Sequence, residues 1–115
     1  MTSTDTDTAG PSVAAVIRSQ IPVTTFWEVG ASDFIYWLPS ESQQSLGALD
    51  FYLRTIKPRR VLKVRITLTY ADTYRVAFGP KSGLEEFTVV DDIYADRLAD
   101  LVMDIHRGDT SGWTR

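Results

Sequence analysis

The chain predicts an α+β domain: a mostly antiparallel sheet of about five strands with two or three helices on one face. Three observations predict it. From Leu62 to Tyr70, apolar residues alternate with polar ones over a length that suits a strand with one dry and one wet face. Two more strand-like runs follow, joined by connections too short for a parallel crossover. The segment from Ile93 to His106 then changes to helical periodicity. The predicted order of elements is α-β-β-α-β-β-β-α, with a single domain over residues 13–107 between a disordered N-terminal tail (1–12) and a polar C-terminal tail (108–115).

Taken in order, residues 1–12 read MTSTDTDTAGPS and offer no large apolar anchor beyond Met1. Val13 to Ile21 suits a short helix, with Pro11 before it, Val13, Val16 and Ile17 on one face, and Pro22 as a stop. Thr24 to Val29 and Phe34 to Leu38 are rich in β-branched and aromatic residues and predict a strand pair around Gly30 to Asp33. Pro39 to Ile56 predicts a helix. Ser40 and Gln43 resemble a capping box, and Leu46, Leu49, Leu53 and Ile56 recur at helical spacing. Gly47 weakens that helix, and Leu49, Phe51 and Leu53 also alternate as in a strand, so the two periods compete here.

Beyond this point the pattern is cleaner. Leu62, Val64, Ile66, Leu68 and Tyr70 face inward, while Lys63, Arg65, Thr67 and Thr69 face outward. Ala71 to Thr73 makes a turn. Tyr74, Val76 and Phe78 then face inward and Arg75 and Ala77 outward. Gly79 to Gly83 forms a loop by composition, and Leu84 to Val90 returns with Phe87 and Val89 on one face. Asp92 is a suitable N-cap for the last helix, whose buried stripe is Ile93, Leu98, Leu101, Val102 and Ile105. Arg107 and Gly108 are ordinary helix-end signals.

Composition narrows the function classes. The 115 residues carry a formal net charge of -3 and 43% hydrophobic content, enough for one core. The acidic balance argues against nucleic-acid binding by overall charge. The absence of cysteine removes thiolate metal sites, disulfides and cysteine nucleophiles. A single histidine, His106, forbids a histidine-rich metal site within one chain, and it is expected to compensate the helix dipole. No apolar run is long enough to cross a membrane as a helix, and no secretory leader is recognisable, so a cytoplasmic protein is the default expectation. No phosphate-cradling loop, nucleophile elbow or zinc-protease motif is present. Neither enzymatic activity, a cofactor nor a metal is expected.

The surfaces left for binding are three. Phe26, Trp27, Phe34, Tyr36 and Trp37 are five of the thirteen aromatics; alternation cannot bury all of them on one face, and Trp27, Tyr36 and Trp37 are the candidate anchors for a protein partner. Arg54, Lys57, Arg59, Arg60, Lys63 and Arg65 form a basic cluster. Lys63, Arg65 and Arg75 project from the outer sheet face, either as ordinary solvated surface or as candidates for partner docking, with the nucleic-acid backbone as a lesser alternative. Glu85 and Glu86 stand on the adjoining strand, and Glu86 is placed to pair with these cations. Asp92, Asp96, Asp100 and Asp104 recur every four residues along the last helix. A regular helix directs them outward without enclosing an ion, so Asp96 and Asp100 are candidates for partner contact.

The run Lys63 to Val76 (KVRITLTYADTYRV) and the later Asp92 to Leu101 (DIYADRLADL) resemble small uncharacterised proteins of actinobacterial phages. These share a strand–turn–strand with Asp-x-Tyr at the turn and a Tyr-Ala-Asp-x-Leu helix start. The excess of arginine over lysine fits a GC-rich genome. The resemblance covers under half the chain and implies no activity. It implies an accessory phage protein acting by binding in the host cytoplasm. The expected function is therefore non-enzymatic binding of a protein, either a host protein or a second copy of the chain in a homo-oligomer.

Overall fold

The computed structural model describes residues 12–57, 59–81 and 87–113. Within them the chain forms helix α1 (Val13–Ser19), helix α2 (Val23–Val29), strands β1 (Ser32–Trp37), β2 (Ser45–Arg54), β3 (Val61–Thr69), β4 (Tyr74–Pro80) and β5 (Thr88–Ile93), a 3-10 turn (Ala95–Arg97) and helix α3 (Leu98–Arg107). The five strands make one antiparallel sheet in the order β1-β2-β3-β4-β5, so each strand lies beside its neighbour in the chain. The fold class is the expected α+β, with three helices and five strands.

Two segments differ from expectation. Val23–Val29 is a helix, where β-rich composition had predicted a strand. Pro22 precedes its first turn, and Gly30 closes it in the left-handed region at φ 68, with its N–H bonded back to Phe26 and Trp27. Phe26 and Val29, three apart, both enter the core. Helix punctuation and burial outweigh propensity over seven residues.

Ser45–Arg54 is a strand, where leucine spacing had predicted a helix. Alternation wins, because Leu49, Phe51 and Leu53 are all fully buried against the helices. Ser40 and Gln43 do not cap a helix. Ser40 instead bridges to Ser45 through paired backbone bonds of 2.8 and 2.9 Å across a tight turn. Consequently the expected hairpin between residues 24–29 and 34–38 does not form, and β1 pairs with β2, matching Tyr36 to Leu49 and Trp37 to Ala48.

The core lies between the helices and one sheet face. Leu49, Phe51, Leu53, Leu62, Val64, Ile66, Val76 and Val90 meet Ala14 and Ile17 of α1, Phe26 and Val29 of α2, and Leu98, Leu101, Val102 and Ile105 of α3. Each such large side chain contributes about 1.5–3 kcal/mol on burial. Phe26, Phe34 and Phe51 pack as a ring triad with centroids 5.1–5.5 Å apart. Gly47 lets α1 approach β2: a Cβ there would stand 2.5 Å from the Val13 Cβ, and its φ of +143 disfavours any side chain. On β5, Val90 enters the core, while Val89 is half exposed on the opposite face.

Three smaller expectations also change. Asp92 does not cap the last helix; it lies in β5 with φ 61, and α3 begins at Leu98 after the 3-10 turn. Ser12 belongs with the domain, because its Oγ accepts from the Ala15 N–H and caps α1. His106 fastens α3 to the loop after β2: its Nδ1 donates to the Arg54 carbonyl, and Ile56 N–H donates to the His106 carbonyl at 2.9 Å. The expected disorder of residues 1–11 and the expected pairing of Glu86 concern positions outside the described residues.

Candidate protein-binding edge and cleft

Among the described residues no helix covers the second face of the sheet. Strand registers set Ile35, Asp50, Arg65, Ala77 and Val89 in one row across it, with Trp37 and Ala48 in the next. Asp50 is only 1% exposed although it lies on this open face. Arg65 covers it with two bonds, from Nε at 2.7 Å and Nη2 at 2.9 Å, and Lys63 Nζ stands 3.7 Å away. The bond to Asp50 raises the Arg65 pKa, burial opposes this, and attraction to the same carboxylate adds to the rise. The Arg65 guanidinium also lies 4.9 Å from the centroid of the half-exposed Trp37 ring. Arg75 bonds Asp91 at 2.6 Å in a more exposed pair. Lys63, Arg65 and Arg75 therefore share a face as expected, but carboxylates already engage all three, which reduces the positive charge on offer to a nucleic-acid backbone.

The aspartate series does not form one stripe. Asp92 is off the helix. Asp96 is exposed in the 3-10 turn, Asp100 pairs with Arg97 at 3.4 Å, and Asp104 accepts from Trp113 Nε1 at 2.8 Å and from Arg107 at 3.2 Å.

The two edges of the sheet are unlike. At β5, Asp91 and Asp92 carry charge, the Asp92 backbone is left-handed, and the register slips between Tyr74 and Val76 of its partner strand. Charge and irregularity of this kind blunt an edge against pairing. At β1, a register shift and the left-handed Asp33 disturb only the beginning. Ile35, Tyr36, Trp37 and Leu38 then follow without a charge, each 45–67% exposed. Among the described residues no other strand pairs with this edge.

Beside β1, on the helix side, a cleft of about 690 Å³ opens between α1, α2 and the strand. Ile21, Val23, Phe26, Trp27 and Phe34 supply its apolar lining and Arg18 its charge. Trp27 is 84% exposed at this rim. The Arg18 guanidinium lies 3.9 Å from the Phe34 centroid, and its Nη1 donates to Tyr36 Oη at 2.9 Å. No described carboxylate pairs with Arg18.

The structure thus divides the candidate aromatics. Trp27 lines the cleft on the helix side of β1, Tyr36 reaches it only through its bond from Arg18, Trp37 stands on the open sheet face, and Phe26 and Phe34 join the core triad. Sequence reasoning missed Arg18 and Asp50. Asp50 had a signal, a lone acid between Leu49 and Phe51, which becomes telling once the segment is a strand opposite Arg65. Arg18 had none, since its link to Phe34 and Tyr36 exists only after folding. Comparison with known proteins finds no matching family model, no matching curated protein and no matching solved structure.

Proposed function

We propose that this chain is a non-enzymatic protein-binding module that takes an extended segment of its partner as an added strand along β1. The observation that carries this reading is the contrast between the edges: β5 is charged and irregular, whereas β1 presents Ile35, Tyr36 and Trp37 in succession, with Leu38 just beyond, and a backbone edge that no other described strand pairs with. Strand addition gains affinity from main-chain hydrogen bonds and specificity from alternate side chains. The likeness of the β3–β4 turn to small actinobacteriophage proteins favours a host protein as that partner.

Selection of a displayed random heptapeptide library on the folded chain tests the reading. The expected binders protect those backbone amides of β1 that point away from β2 from hydrogen exchange and are lost with Ile35→Lys, which charges the edge while leaving the circular dichroism spectrum unchanged. Protection at β5 instead, or binding indifferent to Ile35→Lys, contradicts it. The same edge supports a second reading, pairing with another copy of the chain. A molecular mass that rises with concentration and falls back to the monomer with Ile35→Lys selects self-association over a foreign partner.

A further inference from the structure

We infer that the cleft between α1, α2 and β1 receives alternate side chains of the added strand and that Arg18 selects a carboxylate among them. This rests on the strand-addition reading and specifies its ligand: a peptide with a large apolar residue and, two positions away, an aspartate or glutamate.

The spacing follows from strand geometry. Residues two apart on a strand share a face and stand about 6.6 Å from one another. Phe34 and Tyr36 are such a pair on β1, both on the helix side. An incoming strand beside them presents its own residues to the same face in the same rhythm. The position nearest Phe34 meets Phe26, Val23 and Trp27, which accept an apolar side chain. The position nearest Tyr36 meets Arg18, held there by the phenol oxygen and by the Phe34 ring.

Charge settles which polar group belongs there. Arg65 and Arg75 each bond a carboxylate of the chain itself, whereas Arg18 leans on an aromatic face and a neutral hydroxyl. A guanidinium preorganised in this way, at the rim of an apolar cleft, is complementary to an acid brought by the ligand. The cleft volume of about 690 Å³ exceeds one side chain and accommodates the apolar and acidic groups together.

The test uses four blocked heptapeptides of β-branched residues, carrying Phe-x-Glu or Glu-x-Phe for the two strand directions, each with a Gln counterpart. Titration calorimetry compares the full chain with its Arg18→Gln, Trp27→Ala and Ile35→Lys variants. For one direction, the Glu peptide is expected to bind about tenfold more tightly than its Gln counterpart, as suits one charged hydrogen-bonded contact. Arg18→Gln removes that preference and leaves the binding of the Gln peptide unchanged. Trp27→Ala weakens both peptides, and Ile35→Lys abolishes both. Equal binding of Glu and Gln peptides, or a preference that survives Arg18→Gln, overturns the role of Arg18 and leaves strand addition standing. Binding of no peptide, or binding that persists in Ile35→Lys, overturns strand addition together with the cleft assignment.

Discussion

Asp50 shows how one side chain organises a sheet face that no described helix covers. Its carboxylate is buried not by another layer of structure but by the arms of Arg65 and Lys63, which reach across from β3. Removing the acid leaves both cations facing a vacated site. Asp50→Ala is expected to cost about 2–3 kcal/mol in urea denaturation, less than a fully interior pair because Arg65 and Lys63 keep partial contact with water. Asp50→Ala and Arg65→Ala are expected to be non-additive by about 1 kcal/mol or more, since they share one interaction. Tyr74 gives the residue scale a pH signature. Burial, and then the nearby Asp72, raise its pKa above the ordinary value. The folded state thus holds the phenol proton more tightly than the unfolded chain does. The resulting stability is fully present below about pH 10, the unfolded value, and is lost as pH rises from there through the folded value. Melting temperatures measured from pH 8 to 11 are expected to fall less steeply in Tyr74→Phe than in the parent chain.

Gly47 matters at the scale of elements, because it fixes how closely α1 sits on β2. Gly47→Ala is expected to destabilise the fold by about 2–3 kcal/mol, the sum of overpacking and a backbone angle that suits only glycine. Adding Val13→Ala removes only the Cγ contacts and leaves both the 2.5 Å Cβ approach and the backbone strain, so chemical denaturation should show little recovery. This contact also explains what could be read from the chain and what could not. Leu62 to Phe78 announced two strands because one of their faces is wet, and polarity there records the alternation. Ser45–Arg54 has Asp50 and Ala48 buried as well as Leu49, Phe51 and Leu53, so its outward positions do not look uniformly polar and a helical period fits nearly as well. In Val23–Val29, β-prone residues fill a helix too short for periodicity to speak, and only Pro22 and Gly30 betrayed it. The candidate site suffered from both exchanges. Trp27 and Trp37 were recognised as surplus aromatics, but placing them on one hairpin joined surfaces that the fold sets on different sides of the sheet. The outward direction of Lys63, Arg65 and Arg75 was legible because the strands that carry them were.

For the whole molecule, the meander has a kinetic consequence. Every strand meets in space the strand beside it in the chain, so each pairing closes only a short loop and costs little chain entropy. The sheet can zip hairpin by hairpin. The contacts that span the chain are those of α3 with α2 and with the core, and these come last. Refolding from urea is expected to reach the native state on the order of milliseconds. Changes in α3, such as Leu101→Ala, are expected to accelerate unfolding more than they slow folding, as stopped-flow fluorescence would reveal. During synthesis the same order holds. β1 leaves the ribosome first among the strands and is joined on one side by β2. Its other side meets the crowded cell from that moment, well before α3 exists to close the core.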